Sequence, residues 1–241
     1  MTDELVMSAA GLLTGMMRAG FGGGVGVVAA PILALVIPAK QALGVILPLV
    51  VVTDLISARY YWKRWDSSLV RVLLPGCLVG IAIGAMLLGL IPEHVFRKLL
   101  GMMACLYALY QVFGGRLSDS LETTTRTGGF VVGIATGLVS TLMHAGGVVM
   151  MLYLAPLRLA GRTFVATAFL IGAVLTFVKA VPYLGLGLID EASLAISFLM
   201  LPALAVGALL GMLLNHRMPK VWFNRLILII VLVVGVRLLL T

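Results

Sequence analysis

Asp54 is the one acidic side chain deep inside an apolar run of this sequence, in Val51-Val-Thr-Asp-Leu-Ile-Ser57. A carboxylate in such a run faces a cavity or a partner charge, so the chemistry open to it is proton carriage or a structural ion pair locking two helices. The basic residues available to pair with it are Arg18 and Lys179. Thr176 and Lys179 lie 122 positions after Asp54 and Ser57, so the same helical turn is polar twice in the chain. Lys179, near the end of its apolar run, fits snorkelling to the membrane surface as well as pairing. His144 suits proton carriage or one more hydrogen bond, since imidazole titrates at about pH 6.5 when unperturbed. A lone loop histidine more often has neither role. Thr14, Thr136, Ser140 and Thr141 add hydroxyls nearby, and such hydroxyls most often bond the carbonyl one turn back in their own helix.

What could bring these groups together is a pair of interruptions. Arg18-Ala-Gly-Phe-Gly-Gly-Gly-Val-Gly26 places five glycines where an apolar run should continue, and Met143-His-Ala-Gly-Gly147 is a weaker echo of it. Glycine costs a helix interior about 1 kcal/mol relative to Ala, and in lipid the freed backbone groups are tolerated only beside protein or a watery cavity. Helices restarting near Gly24 and near Gly147 would expose unpaired N–H groups at their positive ends. Two such ends facing one pocket favour an anion, with Gly22, Gly23, Gly24, Gly26, Gly146 and Gly147 letting it approach. The competing reading is that these glycines serve close helix packing, as the spacing of Gly80 and Gly84 suggests. Arg18 could clamp an oxyanion through its planar fork or snorkel to the cytoplasmic surface.

The elements that must position them are membrane helices. The chain has 241 residues, 62% of them hydrophobic and 11% charged. Its mean hydropathy of +1.18 reflects more apolar surface than one soluble core could hide. The net charge of +8 comes from Lys and Arg lying mostly in short loops, which points away from a nucleic-acid partner and towards the lipid bilayer. Neither a metal-spaced set of His and Cys nor a P-loop nor a nucleophile with an evident base is present, so neither catalysis nor a bound cofactor is expected. Six apolar runs approach the ~20 residues needed to cross the hydrocarbon. The other four, two opening each half, cover roughly 5 to 17, 25 to 37, 129 to 143 and 146 to 157, lengths that suit half-helices or re-entrant hairpins.

The halves repeat. Pro75, Gly80, Gly84, Pro92, Phe96 and Leu99 recur 127 positions later as Pro202, Gly207, Gly211, Pro219, Phe223 and Leu226. Thr14-Gly15 recurs as Thr136-Gly137 and Ala30-Pro31 as Ala155-Pro156. Residues 1–113 and 129–241 are therefore expected to be two membrane repeats joined by a polar cytoplasmic linker, 114–128. Arg59, Lys63, Arg64 and Arg71 mark one loop as cytoplasmic, whereas its counterpart carries Asp190 and Glu191 and no base, so the repeats are inverted. The expected fold is an all-α integral membrane protein of two inverted repeats, each a short helix hairpin followed by three transmembrane helices. Both termini are then periplasmic or extracellular.

The stretch from Gly11-Leu-Leu-Thr-Gly15 through Gly22-Gly-Gly-Val-Gly26 to Ala30-Pro31 resembles the sulfite exporter TauE/SafE family of bacterial membrane permeases. So does its echo, from Gly133-Ile-Ala-Thr-Gly137 through Gly146-Gly147 to Ala155-Pro156. The family's usual Gly-rich second run is thinned here to His144-Ala-Gly-Gly147. The resemblance implies inner-membrane transport of a small sulfur-containing anion such as sulfite, thiosulfate or an organosulfonate, driven by protons. Combined with the residue reading, it makes Arg18, the break glycines, Thr14, Thr136, His144 and Lys179 the expected substrate-binding residues. Asp54 and His144 are the candidate proton carriers. An anion channel, a cation carrier working through Asp54 and a non-transporting accessory protein stand as alternatives, and a homodimer is left open.

Overall fold

In lipid only a helix satisfies every backbone N–H and C=O within one segment, and this chain's apolar runs obey that constraint. The computed structural model describes residues 2–21, 25–113, 126–157, 159–217 and 220–240, and every regular element among them is helical. In chain order these are α1 (Thr2–Phe21), α2 (Val25–Leu33), α3 (Ala39–Tyr61), α4 (Ser67–Leu90), α5 (Glu93–Phe113), α6 (Arg126–Met143), α7 (Gly146–Leu154), α8 (Gly161–Gly185), α9 (Glu191–Arg217) and α10 (Lys220–Leu240). Among the described residues, four segments are long and apolar enough to cross a bilayer: Ala39–Arg59, Ser67–Leu90, Gly161–Gly185 and Glu191–Gly211. The protein is an all-α, multi-pass membrane protein.

The four short apolar runs do not become four similar short helices. α1 has 20 residues and α6 has 18, whereas α2 and α7 have nine each. At 1.5 Å per residue the nine-residue helices reach only about 13–14 Å, under half of a ~30 Å hydrocarbon layer. The long legs gain length from polar residues that continue the helix, Thr2–Glu4 in α1 and Arg126–Gly128 in α6. The latter lie in the polar stretch assigned to the linker, so its last residues are helical. α7 stops where Ala155–Leu157 tightens into a 3-10 turn around Pro156, a residue with no N–H to continue the ladder.

The chain forms two compact units, and each draws on both halves of the sequence. One is Met1–Leu49, Ile91–Gly114 and Leu188–Thr241; the other is Val50–Leu90 and Gly115–Gly187. In the first unit α1 packs along α9, and α2 lies against α5 and α10. In the second, α6 packs along α4, and α7 and α8 complete the bundle. Glycine spacing explains both long pairings. A methyl group added to Gly15 would lie 2.0 Å from Leu204 O, and one on Gly207 would lie 2.0 Å from Leu12 O. In the second unit a methyl on Gly80 would lie 2.1 Å from Ile134 O, and one on Gly137 would lie 2.1 Å from Cys77 O. Backbones approach this closely only where both helices present small residues. Leu73, Cys77, Ile81, Met150, Leu154, Ile171 and Leu175 then form a core under α7.

Acidic residues organise the helix ends. Asp66 precedes α4, and its Oδ1 accepts bonds from the Ser68 N–H at 2.8 Å, the Leu69 N–H at 3.2 Å and the Ser68 hydroxyl. Asp190 precedes α9 and shares a reciprocal cap with Ser193, whose N–H donates to Oδ1 at 2.7 Å while its hydroxyl accepts the Asp190 N–H at 2.8 Å. The Ser68 hydroxyl holds the Asp66 carboxyl below the usual carboxylate range, and the Ser193 N–H does the same for Asp190. At the α2–α3 corner, Glu93 accepts the Ala39 and Lys40 N–H groups that open α3. One turn along α5, Arg97 donates to Ala34 O beyond the end of α2. This corner is fastened by opposite charges at the two helix ends they suit.

Candidate functional site

Among the described residues singled out for chemistry, Thr136, His144, Gly146, Gly147 and Lys179 lie together in the second unit, at the break between α6 and α7. α6 ends at Met143, and His144 turns the chain with φ at +54°, in the left-handed region. That backbone costs a non-glycine residue about 1–2 kcal/mol, so surrounding contacts must hold it. Ala145 follows at φ −111°, and α7 opens at Gly146 with no side-chain cap on its first turn. The orphan N–H groups and positive end of this helix are thus not consumed by a capping oxygen.

The two glycines at this opening have different roles. A methyl on Gly146 would lie 2.4 Å from Thr136 O and 2.7 Å from Ser140 Cβ, so this position is required by close packing of α7 on α6. A methyl on Gly147 would meet nothing within 4 Å. Packing therefore accounts for Gly146 and leaves Gly147 free to admit another molecule. Thr136, whose carbonyl touches Gly146, is completely buried, and its hydroxyl has no hydrogen-bond partner among the described residues. A buried hydroxyl is ordinarily paired, and an unpaired one is a position where a ligand or water belongs.

Lys179 of α8 reaches this break from the side. It is 2% exposed, and its Nζ lies 3.2 Å from Ser140 O, 3.2 Å from Ser140 Oγ and 2.8 Å from His144 Nδ1. Snorkelling, which its place near the end of an apolar run also suggested, is therefore not what this lysine does. One turn further along α8, Tyr183 donates its hydroxyl proton to Thr141 O at 2.5 Å. Its ring meets the His144 imidazole edge-on, with centroids 5.8 Å apart and planes at 83°. Lys179 and Tyr183 together thus engage carbonyls at the C-terminal turn of α6, where the helix dipole favours a cation. Tyr183 is the functional candidate that the sequence reading passed over. Its spacing from Thr176 and Lys179, seven and four residues, places all three along one stripe of α8 and was the available signal.

The other expected residues are placed as follows. Asp54 is 3% exposed in the second half of α3. Thr176, its repeat counterpart, donates to Gly172 O at 2.9 Å. In the first unit, Thr14 donates to Ala10 O at 2.6 Å, the back-bond expected of a membrane-helix hydroxyl. Arg18 falls near the end of α1 and Gly26 in the first turn of α2. The Arg18 side chain, and Gly22, Gly23 and Gly24 altogether, lie outside the described residues. Among the described residues no three of His, Cys, Asp or Glu are placed to hold a metal ion.

The break therefore assembles N–H and O–H donors, an open glycine and a buried cation, a set suited to an anion with acceptor oxygens. A family model described as "Sulfite exporter TauE/SafE" matches residues 7–238. No curated protein and no solved structure matches the chain.

Proposed function

The chain belongs to the sulfite exporter TauE/SafE family, and from that premise we propose that it moves a small sulfur-containing oxyanion, such as sulfite, thiosulfate or an organosulfonate, by proton-coupled alternating access. Family membership makes it a transporter and not an enzyme, a multi-pass protein of the bacterial inner membrane. The observation that carries the substrate reading is the uncapped start of α7, where Gly147 has open space and the Thr136 hydroxyl is buried without a partner among the described residues. Such a set of donors recognises oxygen acceptors. Asp54 and His144 are the two candidates for carrying the coupled proton, and export is the direction the family description supports. In this reading each half of the sequence is a hairpin followed by three spans, the halves are inverted, and both termini are periplasmic.

Radiolabelled sulfite flux into proteoliposomes, with and without an imposed pH gradient, tests the proposal. Saturable flux that rises with the gradient is expected. Flux equal to that of protein-free liposomes would contradict it, and flux that grows linearly with sulfite would identify a channel.

A further inference from the structure

Where α3 hands over to α4 the chain reads Tyr61-Trp-Lys-Arg-Trp65, the mixture of aromatic and basic residues that settles at a membrane–water boundary. Trp62 is exposed, and its ring meets that of Trp65 edge-on with centroids 6.0 Å apart. α4 enters the apolar layer from this boundary, with Ser68 and Arg71 in its first two turns and Val72 and Pro75 just below them. α6 runs beside it in the same direction, since methyl groups on Gly76 and Gly80 would meet Phe130 O and Ile134 O in turn. It starts deeper: a methyl on Gly129, in its first turn, would lie 2.4 Å from Val72 Cγ1. Within the second unit, at this step between the two helix starts, lies a groove of about 390 Å³ lined by Ser68, Arg71, Val72, Pro75 and Phe130.

The lining is graded from charged to apolar. From Ser68 to Pro75 the helix rises about 10 Å, which takes the groove from the hydroxyl and guanidinium of its outer end to hydrocarbon at its inner end. Arg71 Nε donates to Ser67 O at 3.2 Å, which holds the guanidinium along α4, and its two terminal amino groups make no hydrogen bond among the described residues. The Asp66 carboxylate beside it is engaged by the Ser68 and Leu69 N–H groups and the Ser68 hydroxyl at the start of α4. The positive end of α6, opening level with Val72, joins Arg71 in favouring an anion. A small hydrated oxyanion would leave the apolar half of such a groove unused, and a bare hydrocarbon chain would leave the charged half unused. We propose that this groove binds an anionic glycerophospholipid, with the phosphate against Arg71 and Ser68 and the first methylenes of an acyl chain against Val72, Pro75 and Phe130. Its size is that of a small-molecule site, ~300–1,000 Å³, and a basic pocket at the membrane surface is the kind that takes an anionic headgroup. Pro75 and Phe130 are exposed, as are Leu78 and Val79 one turn further along α4, so the chain continues past them into the surrounding bilayer. The groove lies at the opposite end of α6 from the α7 break and does not depend on which anion is carried.

Native mass spectrometry of the full-length protein in detergent, titrated with dioleoyl phosphatidylglycerol or dioleoyl phosphatidylcholine, tests this. One phosphatidylglycerol should be retained more tightly than any phosphatidylcholine, and neither sulfite nor glycerol 3-phosphate at millimolar concentration should displace it. Arg71→Gln should weaken that binding roughly tenfold, as expected for losing one charge-assisted hydrogen bond. Arg64→Gln, which removes a base from the same boundary but not from the groove, should weaken it less than twofold. Phe130→Ala should weaken both lipids alike, because it removes a wall from the acyl half and leaves the headgroup half intact. Equal retention of the two lipids by the parent protein overturns the proposal, and so does displacement by glycerol 3-phosphate or sulfite, which would make the groove a site for small anions. Both results are read on the unsubstituted protein and decide the matter even where a variant fails to fold. Equal weakening by Arg64→Gln and Arg71→Gln also overturns it, since the attraction would then belong to the basic surface as a whole.

Discussion

The α1–α9 pair in one unit and the α4–α6 pair in the other are packed by the same device, yet the residues that follow α1 and α6 in the sequence differ. In both pairs glycines four residues apart bring backbones into contact: Gly11 lies against Met200 and Ala203, Gly15 against Leu204, Gly207 against Leu12 and Gly211 against Met16 in the first, while Gly133 and Gly137 face Gly76 and Gly80 in the second. Beyond them the units diverge. Thr14 donates to its own helix, whereas its counterpart Thr136 has no partner among the described residues. Between α1 and α2 the sequence reads Gly22-Gly-Gly24, outside the described residues, whereas the second break is a strained histidine held by a buried lysine and a tyrosine. Helix packing tolerates almost no drift, because an added methyl collides with main chain. The polar groups at a break are not bound by that constraint and can drift.

The largest expected effect comes from breaking what the units share. Gly15→Leu and Gly137→Leu each drive a side chain into a backbone carbonyl, and each should destabilise the protein by about 3 kcal/mol or more. Loss of monodisperse protein and a lowered melting temperature in detergent would register this in both units alike. A variant in either unit that melts like the parent would show that the close contact is not required.

Smaller effects should separate the units. Thr14→Val removes a satisfied hydroxyl and Thr136→Val removes one with no partner among the described residues, so only the first should lose stability, by about 1 kcal/mol. Sulfite flux should respond in the opposite sense, falling for Thr136→Val more than for Thr14→Val. Equal flux in the two variants would remove the functional distinction between the breaks.

The smallest effect concerns the caps, where the units again agree. The folded-state values of Asp66 and Asp190 lie below the ordinary 3.8, so their contribution is complete above that value and is lost as pH falls through the depressed folded values. Melting temperature should therefore drop slightly in strong acid, below about pH 4. Asp66→Asn and Asp190→Asn should each flatten part of that drop. An acid limb of the stability curve unchanged in both variants would assign it to other groups.

These comparisons also show what a residue string can and cannot disclose. The restarts of the short helices are legible, because glycine clusters inside apolar runs leave few other readings: α2 opens at Val25 and α7 at Gly146, within a residue of the positions expected. The lengths of α1 and α6 are not, since polar residues such as Arg126 and Thr127 interrupt an apolar run without interrupting a helix. Repeat spacing identifies which helices are counterparts but not which copy a helix packs against, and α1 pairs with α9 rather than with α4. The burial of Lys179 depends on Ser140 and His144, 39 and 35 residues earlier on another helix. No local pattern around residue 179 distinguishes that from snorkelling. Tyr183 was within reach, one helical turn from Lys179, had the stripe on α8 been followed to its end.

The central claim is that the start of α7 receives the transported anion, and Gly147→Ala tests it most directly, because a methyl there meets no neighbour and Ala suits a helix better than Gly. The account predicts a protein at least as stable as the parent whose sulfite flux in proteoliposomes is clearly reduced. Undiminished sulfite flux in that folded variant would contradict it.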